Sequence, residues 1–93
     1  MRTHNLPPPT REGYVTFLHE NYEGGVRRAL AQAEMRSRSL RRRDVIQRFR
    51  GGGNEYGKFN LHGTDWLKEF DEEVMDLIHY WNLYKFSRIH EQR

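Results

Sequence analysis

Glu69-Phe70-Asp71-Glu72-Glu73-Val74-Met75-Asp76-Leu77-Ile78-His79-Tyr80-Trp81 is the stretch that decides the fold class. At about 100° per residue, Leu67, Phe70, Val74, Leu77, Ile78, Trp81 and Tyr84 gather on one face of a helix. Glu69, Glu72, Glu73 and Asp76 gather on another, and Tyr80 continues that line one turn on. The acidic line lies about 130° from the centre of the apolar stripe. That places it in solvent unless a second subunit covers it. Like charges three and four residues apart repel by roughly 0.2–0.5 kcal/mol per pair. The run therefore calls for compensating cations: a divalent metal, an Arg-rich surface, or solvent and salt.

Outward from this helix, Thr64 or Asp65 supplies its N-cap, and its C-terminus is predicted near residue 90. Before it, Gly51-Gly52-Gly53-Asn54 reads as a loop, and Glu55 to Gly63 as irregular chain. Val26, Leu30, Ala33 and Leu40 support a basic middle helix. Its apolar stripe then shifts register towards Val45, Ile46 and Phe49, which predicts a kink or break between Ser37 and Asp44, with Asp44 capping the second piece. A short N-terminal helix is predicted over 11–22, capped by Thr10, carrying Tyr14, Phe17, Leu18 and Tyr22, and stopped by Gly24-Gly25. Residues 1–9 read as a flexible Pro-rich arm, because Leu6-Pro7-Pro8-Pro9 favours extended geometry. The expected architecture is all-α, with one small helical domain over residues 10–93. No run shows strand-like alternation of useful length.

Composition narrows the class further. Ninety-three residues, 35% hydrophobic and 31% charged, leave a lone monomer short of apolar area to bury, so a helical bundle completed by homo-oligomerisation is expected. There is no Cys, which excludes a disulfide framework, thiolate chemistry and a Cys-based zinc site. No apolar run begins the chain as a signal peptide does, and none approaches the length of a membrane span. A cytoplasmic location and no membrane partner are the resulting expectations. The net charge of +3 hides a strong asymmetry: residues 26–50 hold nine arginines against Glu34 and Asp44, a surplus of +7 that leaves −4 elsewhere.

Gly52-Gly53-Asn54-Glu55-Tyr56-Gly57, then Asp65-Trp66-Leu67-Lys68-Glu69, then Glu72-Glu73-Val74-Met75-Asp76 with Tyr80, resembles small phage-encoded MazG-like proteins, over roughly residues 50–84. Those are all-α nucleoside triphosphate pyrophosphohydrolases. The resemblance implies (deoxy)nucleoside triphosphate binding with Mg²⁺, and a location in the host-cell cytoplasm. Carboxylates at i, i+3 and i+4 suit a hard cation that prefers oxygen ligands. On that reading Glu69, Glu72, Glu73 and Asp76 are the metal ligands, and Glu69, Glu73 and Asp76 are the catalytic set. Lys58 and Lys68, or an Arg, would hold phosphate oxygens. The family pattern also has a Glu-x-x-Glu pair on an earlier helix. Before the loop this chain offers Glu20/Glu23, far upstream, and Glu55 could add one carboxylate from the loop.

The alternative is a non-enzymatic interaction protein of the phage host-takeover or counter-defence type. It would bind a host protein or nucleic acid through Arg36, Arg38, Arg41, Arg42, Arg43, Arg48 and Arg50, with an aromatic surface including Trp66 and Trp81. Such a block neutralises several phosphates, but no helix-turn-helix, zinc-finger or RNA-recognition signature accompanies it. Gly51-Gly52-Gly53 lacks the Gly-Lys-Ser/Thr ending of a P-loop. No two of His4, His19, His62, His79 and His90 have zinc-protease spacing. His62 is a weak general-base candidate.

Overall fold

The computed structural model describes residues 6–51 and 60–91. They form four helices: α1 (Arg11–Glu20), α2 (Tyr22–Ser37), α3 (Arg42–Gly51) and α4 (Trp66–Glu91). No strand occurs among the described residues, so the all-α expectation holds. No helix among them is long and apolar enough to cross a membrane. Residues 1–5 of the predicted arm, and most of the predicted Gly-rich loop with Glu55 and Lys58, lie outside the described residues.

Local chemistry explains the helix ends. The Thr10 hydroxyl accepts the Gly13 N–H at 3.0 Å, capping α1 as expected. Asp65 caps α4, its Oδ1 accepting the Lys68 N–H at 3.0 Å. The predicted break in the basic helix falls at 38–41. Here the Ser37 hydroxyl donates to the Glu34 carbonyl at 2.7 Å, and the Leu40 N–H to the Ser37 carbonyl at 3.3 Å. Asp44 does not cap α3. It sits in the first turn, pairs with Arg41 Nε at 2.9 Å, and places negative charge at the positive end of the helix dipole.

Gly24-Gly25 does not end α1, in contrast to the sequence expectation. The junction is Asn21, whose backbone N–H and side-chain Nδ2 both donate to the Phe17 carbonyl, at 3.1 and 2.8 Å. These bonds satisfy the last turn of α1, and α2 restarts one residue later. The two glycines lie inside α2, and Gly25 is buried where α2 meets α4. A Cβ on Gly25 would stand 2.5 Å from the Asn82 side-chain oxygen. Asn82 is 3% exposed, and its Nδ2 donates to the carbonyls of Ile78 at 2.8 Å and Gly25 at 3.3 Å. The glycine is there for close approach of two helices.

The core lies along the C-terminal part of α4. Phe86 is buried, its ring 5.1 Å from Phe17, 5.8 Å from Tyr14 and 4.7 Å from His90 between centroids. Ala29 of α2 is buried beside α4. These are the only buried hydrophobic side chains among the described residues. Val74, Leu77, Ile78 and Trp81 are half-buried, as the stripe predicts. Leu67 and Phe70 are not: they are 70% and 64% exposed. The stripe runs past its packing partners, because α1, α2 and α4 pack together while α3 packs against none of them among the described residues. The radius of gyration is 17.0 Å, against about 12 Å for a compact chain of this length.

Candidate functional site

The acidic face of α4 forms as its register requires. Glu69, Glu72, Glu73 and Asp76 are all exposed on the first three turns. Lys68, the expected phosphate ligand, reaches Glu72 instead, Nζ to Oε2 3.4 Å. Both ends of that pair are open to water, so it contributes at most about 1 kcal/mol. Among the described residues no three His, Asp or Glu side chains gather as a metal-binding group. Glu20 and Glu23 line a polar hollow with His19 and Arg28 at the α1–α2 junction. That junction adjoins Gly25 and so lies beside Asn82, not beside Glu73 and Asp76. The described donors of the implied Mg²⁺ set therefore come from one helix, and among the described residues no second carboxylate pair gathers with them.

The basic block is equally exposed. Arg36, Arg38, Arg41, Arg42, Arg43, Arg48 and Arg50 all point to solvent. Arg38 pairs with Glu34 at 2.7 Å, and Arg41 with Asp44. The other five make no ion pair with a described residue. On α3, Val45, Ile46 and Phe49 share one face by the helical count. Arg42 heads that stripe, Arg43 and Arg50 border one side, and Arg48 borders the other. Val45 is 54% exposed and Ile46 43% exposed. Val45 and Ile46 thus form an exposed apolar strip on a helix against which no other described helix packs, the kind of surface that meets a partner.

The aromatic candidates divide. Trp66 holds the turn that enters α4, its indole N–H donating to the Leu61 carbonyl at 2.8 Å. Trp81 lines a shallow groove between α2 and α4 with Ala29, Ala33, Leu77 and Tyr84, its ring 5.4 Å from that of Tyr84. Lys85 Nζ lies 5.7 Å from the centre of the Trp81 ring. His62 sits exposed in the turn before α4.

Sequence reading missed two features. The Tyr14 hydroxyl and His79 Nδ1 are hydrogen-bonded at 2.8 Å, tying α1 to the middle of α4, and burial pushes the Tyr14 pKa up. An open apolar groove of about 940 Å³ runs between the start of α1 and the end of α4, lined in part by Val15, Leu83, Phe86 and His90. His90 Nε2 is buried there without a hydrogen-bond partner among the described residues. Both features depend on how α1 crosses α4, and residue spacing does not encode that crossing.

Comparison with known proteins adds no relative. No family model, curated protein or solved structure matches the chain.

Proposed function

We propose that this chain is an interaction protein that docks α3 onto an acidic protein surface bearing an apolar strip. The observation that carries the proposal is the combination on α3: Val45 and Ile46 exposed on one face, arginines along both borders, and no helix packed against it among the described residues. An amphipathic helix of this kind lays its apolar face into a groove, and its charged borders select the partner. Nucleic acid would satisfy the arginines but leave Val45 and Ile46 in water. Phosphate binding through such a block is sequence-independent and steeply salt-dependent.

Fluorescence anisotropy with two labelled probes, an acidic amphipathic helical peptide and a DNA duplex, tests this. The duplex is expected to bind at low salt and to be lost between about 50 and 200 mM. The peptide is expected to stay bound in part over that range, and to be released by Val45→Asp with Ile46→Asp. Duplex binding that resists salt and ignores the Val45 and Ile46 substitutions would overturn the proposal in favour of a nucleic-acid partner. Failure of the peptide to bind the chain where it is monomeric would end it outright.

A second reading is MazG-like binding of Mg²⁺ and a nucleoside triphosphate. The register of Glu69, Glu72, Glu73 and Asp76 on one exposed face of α4 supports it. The nucleotide's phosphates would complete the cation's oxygen shell. Isothermal calorimetry with Mg²⁺ and a deoxynucleoside triphosphate together should then give heat that Glu73→Gln and Asp76→Asn each abolish, with helicity unchanged. No heat from the wild type removes this reading and leaves the acidic face for a protein or for solvent.

A further inference from the structure

We infer that the acidic surface α3 docks on is the first half of α4 in a second copy of this chain, the contact being made twice across a two-fold axis. The inference rests on the docking reading of α3 and names its partner.

The two faces match in kind. Residues 66–76 carry Glu69, Asp71, Glu72, Glu73 and Asp76 against Lys68, whereas α3 carries four arginines against Asp44. Each face pairs its charge with uncovered apolar side chains. Leu67 and Phe70 stand out on α4, and Val45 and Ile46 on α3. By the helical count, Glu69 and Glu73 border the Leu67/Phe70 strip on one side and Asp71 on the other, mirroring the arginines along α3. Opposite charges along both borders fix register, and the apolar centres supply the area that a surface ion pair alone does not.

Among the described residues of one chain, α3 packs against no part of α4. Because each copy carries both faces, a two-fold axis pairs α3 with α4 in both directions and closes the assembly at two subunits. The same contact covers Val45, Ile46, Leu67 and Phe70, which the chain's own small core leaves exposed. A small domain with so little buried is of the kind that association commonly completes.

Sedimentation equilibrium on the full chain tests this, using two oppositely altered variants. One carries Arg43→Glu and Arg48→Glu; the other carries Glu69→Arg and Glu73→Arg. The wild type is expected to form dimers. Each variant alone is expected to be monomeric, its dimer dissociation constant raised about tenfold or more by like charges now facing each other. Circular dichroism should show helicity unchanged. An equimolar mixture of the two variants is expected to form heterodimers, since the acidic α3 of one then meets the basic α4 of the other, and the reverse. A wild type that is monomeric at every concentration overturns the inference, as does a dimer indifferent to both charge reversals, or a mixture that stays monomeric. Monomers destabilised by each variant, and restored when both are combined in one chain, would show that α3 docks on its own α4. That also overturns it. If the wild type is monomeric but α3 still binds the acidic peptide, the second-copy partner falls while the docking reading stands. If neither association occurs, both fall.

Discussion

Phe86→Ala lowers the stability of the chain by about 3–5 kcal/mol. The ring is 6% exposed and is the meeting point of α1 and α4, in contact with Tyr14, Phe17 and His90. Among the described residues, the other buried hydrophobic side chain is Ala29, too small to fill the space a lost phenyl leaves. The three aromatic partners also lose their edge and tilted ring contacts, each contributing about 0.5–1.5 kcal/mol beyond area. Small domains have about 5 kcal/mol to lose, so the variant is expected to be largely unfolded. Urea denaturation followed by circular dichroism measures it. Leu40→Ala, at a position 63% exposed, is the control and should stay within about 0.5 kcal/mol of wild type. A Phe86→Ala variant within 1 kcal/mol of wild type, on the order of the surface control, would mean that the core is elsewhere.

Gly25→Ala is the second large effect, and its sign depends on Asn82. An added Cβ meets the buried Asn82 side-chain oxygen at 2.5 Å, so either the amide moves and loses its bonds to Gly25 and Ile78, or the helices separate. Overpacking of this kind costs about 1–3 kcal/mol. It opposes the roughly 1 kcal/mol that Ala gains over Gly inside a helix. The single variant is therefore expected to be destabilised. In an Asn82→Ala background the obstruction is gone and only the propensity gain remains, so Gly25→Ala is expected to stabilise. A double-mutant cycle in urea reads that reversal directly. If Gly25→Ala stabilises in both backgrounds, α2 and α4 are not in close contact at this point.

Where local chemistry alone determined a feature, the residues were readable before the structure. Thr10 and Asp65 cap helices because a side-chain oxygen one position before a helix meets its orphan N–H groups whatever packs outside. The break at 38–41 was visible because the apolar stripe changes register there. Gly24-Gly25 was misread because a helix-stopping glycine and one required by close packing look alike until Asn82 is seen opposite. Asn82 gave no warning, since a polar residue beside Trp81 reads as surface until its hydrogen bonds to two helices are known. The stripe on α4 was legible in register but not in extent: periodicity says which residues share a face, not how much of that face a neighbour covers. The candidate site divides in the same way. The carboxylates of α4 and the arginines around α3 fell where their spacing put them, whereas what faces each set is a tertiary fact.

Hydrogen–deuterium exchange at two protein concentrations tests most directly the claim that this chain is a packed α1–α2–α4 body carrying two docking faces. Amides of α2 and of α4 from Val74 onward should be protected alike at both concentrations, since the body does not depend on association. Amides of 42–51 and 66–73 should exchange quickly when dilute and gain protection together as concentration rises. Protection of α3 that is already full at high dilution, or that rises without any change in 66–73, would contradict it.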